Sequence, residues 1–337
     1  METFALTRYA VSIGAAAALL AACGGSQPPT GATGAMAQTS AIATHADRGK
    51  SWMLPEAKSA DLLYVSGVEN VLVYSFPKGK LVGTLTSFPY SPQGLCSDRH
   101  GNVFFVGEGK QSQSLIYEYA HGGSDPITTL TDPGLGLGCG VDPQTGDLAV
   151  TNLRSSGSNY YGNIAVYRHA RGKPTIYSDP NVSGFYFCAY DDAGNLFADN
   201  ANSDDLISEL PKGGTTLTEI TLSQAIFPAS IQWNGNSLAI SSWCCGKQGD
   251  IPVYQVQVSG SSGTVTGPTL LSSADDRRGL GFQLWIQGKI IAGPDRAQGQ
   301  RDFLNFWRYP RGGKPIRVIR TEDGNMFGVT VSASEHG

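Results

Sequence analysis

One short phrase recurs six times along this chain, and its spacing leaves few folds open. The copies read VYSFPKGK from Val73, IYEYAHGG from Ile116, VYRHARGK from Val166, ISELPKGG from Ile207, VYQVQVSG from Val253 and FWRYPRGG from Phe306. Each reads as a short strand, a tight turn rich in Gly and cations, and a second strand such as LVGTLT or PIRVI. Steps of 41 to 53 residues suit radial four-stranded blades and are too long for most helical solenoids.

A second phrase interlocks with the first. SPQGLCSDRHGNVFFVG (Ser91 to Gly107), GCGVDPQTGDLAVTN (from Gly138) and FCAYDDAGNLFADN (from Phe187) each read strand, Asp-anchored turn, strand. Weaker copies begin at Ser230, Gly281 and Gly328. Each repeat therefore supplies strands A to D. The last copy, GVTVSASEHG, has a strand A but no B, whereas DLLYVSG (Asp61 to Gly67) is a B without an A. Pairing those orphans builds one blade from both ends of the chain and removes an exposed sheet edge. The expectation is an all-β, six-bladed propeller over 59–337, or seven blades if Trp52 to Leu54 starts another strand.

The first 22 residues read as a signal peptide. Arg8 gives a thin positive region, and the apolar run from Val11 to Ala22 is too short to span a bilayer. Leu20-Ala21-Ala22-Cys23 resembles the bacterial lipobox, which implies lipidation at Cys23 and an extracytoplasmic, envelope-anchored protein; an ordinary signal peptide with an incidental Cys is the alternative. Residues 23–58 are dominated by Gly, Ser, Pro, Thr, Gln and Ala and read as a tether with a mean reach of about 30–35 Å. Trp52, Met53 and Leu54 either dock on the domain or form a loose apolar cluster.

The net charge of −4, with 15% charged residues, argues against a nucleic-acid partner. Beyond Cys23 there are five cysteines in a compartment expected to be oxidising. Cys139 and Cys188 occupy equivalent repeat positions and are able to meet near the channel. Cys244 and Cys245 are adjacent, and spacing does not give the connectivity.

The repeat resembles six-bladed propellers of the NHL-repeat and gluconolactonase-like superfamily. Pro92, Gly94, Asp98, Gly101 and the run Val103 to Val106 carry the strongest match, and Ala193 to Leu210 carry a second. The resemblance implies the fold, which hosts unrelated functions. Gluconolactonase-like relatives hold a divalent cation in the central channel through Glu, Asn and Asp. Here their Glu-Gly-Pro segment is missing, and Glu69 lies in another context. Asp199, Asn200, Asn152 and Asp295 follow successive B strands and would be the nearest ligand set for Ca²⁺ or another divalent cation. Asp and Asn also serve there as plain turn residues.

Blade topology puts the short A–B and C–D turns on one face and the long B–C and D–A loops on the other. Variable loops on a rigid scaffold carry binding residues. Arg154, Tyr160, Tyr161, Tyr186, Trp243, Arg277, Arg278, Asp295 and Arg296 are expected around that mouth, a composition suited to a protein or glycan partner. Blade-end packing is the competing role. No zinc-type His spacing, nucleophile elbow, P-loop or dinucleotide fingerprint is present. Lys78, His121, Arg171, Lys212 and Arg311 share a C–D turn position, as a basic ring or as soluble turn residues. The sequence thus points to a monomeric, non-catalytic binding propeller without a cofactor, with a metal-dependent lactonase-like hydrolase as the alternative.

Overall fold

A computed structural model describes residues 50–334, apart from 87, 108, 110–112, 157–160, 243–249, 274–278, 281, 298–302 and 322–325; the side chains of 279, 280, 296 and 297 are also left undescribed. The leader, Cys23, Tyr160, Trp243, Cys244, Cys245, Arg277 and Arg278 fall outside that set.

The B-strand runs are apolar on both sides, so they need cover on both sides. Leu62–Ser66, Val103–Gly107, Leu196–Asn200 and Leu238–Ser242 are accordingly buried at every position. Outer strands such as Pro126–Asp132 and Arg317–Arg320 are largely exposed. This gradient, buried inside and wet outside, arranges the chain as antiparallel sheets of a β-propeller.

The closing sheet runs Trp52–Met53, Leu81–Leu85, Val71–Ser75, Leu62–Ser66, Val329–Ser332. The expected union of both ends is there: Leu62 pairs with Ser332 and Val65 with Val329. Trp52–Met53 docks as a fifth, outer strand of this sheet instead of starting a new one. Two four-stranded sheets follow, Pro92–Ser97 through Pro126–Asp132 and Gly134–Val141 through Thr175–Tyr177. Next comes a sheet of eight strands, Phe185–Tyr190 through Ser262–Ser272. Its halves, four antiparallel strands each, join only where Thr221 and Leu222 run parallel to Ser262 and Gly263. The cause is the long hairpin Asp250–Ser259/Ser262–Ser272, whose outer strand reaches the neighbouring edge. The last sheet holds Ile290–Ala297, Phe303–Arg308 and Arg317–Arg320, with Gly279–Leu280 and Trp285–Gln287 both on Ile290–Ala297.

The core lies between sheets. Tyr64 and Val73 of the closing sheet pack on Leu95 and Phe105, Phe104 packs with Val150 and Tyr167, and Ile164 with Phe185 and Leu196. Ile207 and Ile220 meet Ile240 and Val256 across the two halves of the eight-stranded sheet. Val253 and Leu271 meet Ile291 and Trp307, and Leu304 and Phe306 return to Leu63 and Val329. The chain of apolar contacts is therefore continuous and closes on its start.

The Asp-anchored turns take the form their sequence demands. Asp98 Oδ1 accepts the N–H groups of His100 and Asn102, and Gly101 supplies φ +82°. Asp191 repeats this with Ala193 and Asn195, with Gly194 at φ +87°. Cys96 is disulfide-bonded to Cys139, joining the inner strands of consecutive sheets, and Cys188 is a buried free thiol. Cys139 and Cys188 do line one cavity, but no bond forms between them. Cys96 stands two residues before its turn Asp98, whereas Cys139 and Cys188 stand three before Asp142 and Asp191, so Cys96 lies on the opposite side of its strand.

Candidate functional site

The inner strands approach closely along the axis. A Cβ on Gly94 would lie 2.5 Å from the Leu137 carbonyl oxygen, and one on Gly138 would lie 2.6 Å from that of Tyr186. Nothing bulkier than Gly fits there. Towards the long loops, Phe282 stacks on Phe327 at 4.5 Å, and Phe327 meets Phe187 at 6.1 Å. Buried Gln283 clamps Leu95, accepting its N–H at 3.0 Å and donating to its carbonyl at 2.7 Å. The three rings and the Gln283 clamp pack together on this side.

The acids and amides considered as metal ligands are held locally. Asp199 Oδ1 accepts the N–H groups of Tyr186 and Phe187 at 2.9 and 2.7 Å, capping a bulge in the inner strand. Asn152 Nδ2 donates to Asn163 at 2.8 Å. Asp295, only 1% exposed, accepts from Ser273 and Asn305, both at 2.8 Å. Among the described residues no three His, Cys, Asp or Glu side chains converge as a metal site.

Burial lifts the Asp199 carboxyl from 3.8 to about 7, against the opposing pull of the Phe187 and Tyr186 amides. Asp132 is lifted to about 6 by burial, opposed by the Gly134 N–H, Tyr167 and Asn152. A folded-state value above the unfolded one gives stability that is complete below about pH 4 and lost as pH rises through about 7. Replacement Asp199→Asn should therefore stabilise the fold at pH 8 by a few kcal/mol, at about 1.4 kcal/mol for each tenfold change in proton affinity, and little at pH 4. Melting curves at both pH values check the sign; a variant less stable at pH 8 would refute it.

On the long-loop side, a cavity of about 440 Å³ is lined by Tyr186, Asn200, Asn202, Ser203, Asp204, Phe227 and Pro228. Its floor is strand: Tyr186 enters from Phe185–Tyr190, and Asn200 ends Leu196–Asn200. The walls are loop. The chain turns after Asn200, with Ser203 N–H donating to the Asn200 carbonyl and Asn202 at φ +69°. The Asp204 carbonyl then accepts from both Ile226 and Phe227, at 2.7 and 3.3 Å. That bond pair holds Phe227 at φ +48° with 41% of its surface in solvent. Positive φ is unfavourable for an aromatic residue and concentrates where backbone is held for function. Asn200 is 3% exposed; its Oδ1 accepts from Ser208, and its Nδ2 has no partner.

Of the residues expected at the mouth, Tyr186 lines this cavity. Arg154 is exposed on strand Leu148–Ser155, and Tyr161 is 51% exposed beyond the same loop. Asp295 is interior, and Arg296 pairs in the last sheet opposite Leu280. Asn202, Ser203, Asp204, Phe227 and Pro228 escaped the sequence reading. The turn-rich run Asn202 to Asp205 was a usable signal, but Phe227 was not. A residue before Pro favours extended backbone, so nothing in the sequence hints at a left-handed Phe.

Other cavities open on the short-turn side. One of about 230 Å³ has the disulfide, Trp233 and Trp285 in its wall, with Trp233 Nε1 donating to Asp192. Another, of about 200 Å³, lies among Asp98, Glu118, His169 and Arg171. His121 is no member of an exposed cation ring. It is half-buried, its Nδ1 on Ser332 Oγ at 2.6 Å and its Nε2 on the Ala60 carbonyl at 3.1 Å.

No protein-family sequence model and no curated protein matches this chain. Solved structures do match in fold. A chain of a nidogen/laminin complex superposes with TM-score 0.60 at 12% identity, covering 82% of this chain and 99% of that one. TolB from Acinetobacter baumannii gives 0.55 at 15%, covering 83% and 68%. The β-propeller domain of Cps50 (Swd1) from Myceliophteria thermophila gives 0.53 at 10%, covering 83% and 87%. At such identities the likeness speaks for architecture alone, and the described chain is a β-propeller.

Proposed function

We propose that this protein is a six-bladed binding propeller of a bacterial cell envelope, anchored through lipidated Cys23, whose long-loop face recognises an extracytoplasmic protein or carbohydrate. Six blades follow if the halves of the eight-stranded sheet count separately, a division supported by the apolar layer between them. The lipobox-like Leu20 to Cys23 supports the anchor. The observation that carries the binding reading is the cavity with exposed Phe227 in its wall, on the face where the loops vary. The likeness to a chain from a nidogen/laminin complex is in keeping with it. The lactonase-like alternative is weaker, because among the described residues no three His, Cys, Asp or Glu side chains converge; Asp199 Oδ2 and Asn152 Oδ1, buried without hydrogen-bond partners, are what it retains.

Photo-crosslinking residues at Arg154 and Tyr161 on one face, and at Lys78 and Arg171 on the other, test the reading in cells carrying the full chain. A partner captured from the first pair only, with membrane retention lost in Cys23→Ser, is the expected result. Capture from the short-turn pair only would overturn the face assignment, and a membrane-bound Cys23→Ser would overturn the anchor.

A further inference from the structure

The chain carries a net charge of −4, yet one of its outer hairpins is uniformly basic. From Phe303 to Arg320 it holds Arg308, Arg311, Lys314, Arg317 and Arg320, and neither Asp nor Glu. All five cations are exposed, and none enters an ion pair among the described residues. The flanking charges Arg301, Asp302, Glu322 and Asp323 lie outside that set.

Folding gathers these cations on one rim. Phe303–Arg308 pairs with Arg317–Arg320, and the turn between them carries Arg311 and Lys314. The C–D turn of the closing sheet packs against the same outer strand. A Cβ on Gly79 would lie 2.6 Å from Ile319 Cδ1 and 3.0 Å from Arg317 Cδ, which sets exposed Lys78 near Arg317. On the other flank, the Gly313 N–H donates to the Leu270 carbonyl at 2.7 Å.

Cations on an outer strand discourage edge-to-edge pairing. That role does not account for the aliphatic side chains among them: Ile316 is 50% exposed, Val318 43% and Leu270 41%. A polyanion dissolved in water has use for the cations and none for the aliphatics. The interface of an anionic bilayer takes both, the cations at its phosphates and the aliphatics at its acyl boundary. Position agrees with this partner. The described chain enters the sheet at Trp52–Met53, paired with Leu81–Leu85, directly after the Lys78–Lys80 turn. The segment that leads from Cys23 therefore joins the domain beside the basic hairpin.

We infer that this rim, Lys78 with the hairpin Phe303–Arg320, docks on the surface of an anionic phospholipid bilayer. The inference rests on the anchor reading above and adds an orientation to it: the tether holds the domain, and the rim fixes which side meets the membrane. Each cation near such a surface strengthens binding about fivefold, the equivalent of ~1 kcal/mol. The contact is weak enough to be released by salt.

The test is flotation of the full chain, made as Cys23→Ser to exclude lipidation, with vesicles of phosphatidylcholine alone and of phosphatidylcholine with phosphatidylglycerol. The apolar leader is common to both measurements, so the ratio of the two partition constants reads charge. That ratio should be about tenfold or more at low salt and fall as salt rises. Arg311→Ser/Lys314→Ser/Arg317→Ser should reduce it at least tenfold. Ile316→Ser/Val318→Ser should weaken binding to the anionic vesicles with the salt dependence kept, and neither variant should change melting. A triple variant with the unaltered ratio overturns the inference. So does a chain that ignores the vesicles but is retained by a soluble uronic-acid polymer, which would assign the rim to an acidic polysaccharide. The anchor is read separately, in cell membranes washed with high salt, which releases the rim's contact but not a lipid; retention still lost there in Cys23→Ser would leave the anchor standing whatever the vesicles show.

Discussion

A chain lacking residues 327–337 is expected to show no cooperative melting transition. Val329–Ser332 is the inner strand of the closing sheet and is buried throughout. Without it, Leu62 to Val65 lose their partners Ser332 to Val329. Ser66 Oγ loses the Gly328 N–H it accepts at 2.7 Å, and the Gly101 carbonyl loses the Ser332 hydroxyl at 2.6 Å. Two buried Val side chains account for about 3–6 kcal/mol. Each backbone group left buried and unpaired adds about 1–3 kcal/mol. The total rivals the ~5–15 kcal/mol that holds a whole domain together. Circular dichroism on heating decides the matter, with a chain lacking only 335–337 as the control that should melt normally. A cooperative transition in the shorter chain would mean that the ring does not depend on its closing strand.

The second large effect is expected at the disulfide. Cys96 and Cys139 stand 43 residues apart, and the chain-entropy estimate for a loop of that length is about 4 kcal/mol. The double variant Cys96→Ser/Cys139→Ser should therefore melt roughly 7 °C lower, given ~2.1 cal/mol/K of unfolding entropy per residue over the compact unit Asp47–Gly337. Reduction of the wild type should lower its melting temperature by at least as much. Cys188→Ser tests the assignment from the other side. Burial pushes its thiol well above the ordinary range, so it should be unreactive to thiol reagents until the protein unfolds. A small shift in the double variant, or rapid labelling of Cys188 in the folded state, would contradict this picture.

What the sequence disclosed was whatever repeats. Strand periodicity, Asp-anchored turns and orphan strands are written once per blade, so a weak copy is read by its stronger neighbours. The pairing of Leu62–Ser66 with Val329–Ser332 was legible for that reason. What departs from the repeat was hidden. The overlong strand Ser262–Ser272 joins two sets of four strands into one eight-stranded sheet, which the pattern does not foretell. Cys96 stands two residues before its turn Asp98 and Cys139 three before Asp142, so the bonded pair are not at equivalent repeat positions, and comparing equivalent positions did not predict that bond. The cavity lies further still from any pattern. Phe227 adopts backbone that its own type and the following Pro both disfavour, because one carbonyl on the neighbouring loop holds it there. Tyr186 was found because it lies in a long loop read from the blade topology, and Asn200 because it closes a repeating strand; the other lining residues belong to single loops.

The union of the two ends also sets the order of events in folding. The Ser66 and Gly328 groups that meet in the closing sheet are 262 residues apart, near the longest separation the chain offers. Contacts of that range form late, because the intervening chain must first be brought into place. Sheets built from consecutive hairpins can collapse as they emerge from the ribosome, while Leu62–Ser66 stays an open edge until Val329–Ser332 has been made. The ring is therefore expected to be sealed among the final steps, after an open arc of hairpin-built sheets.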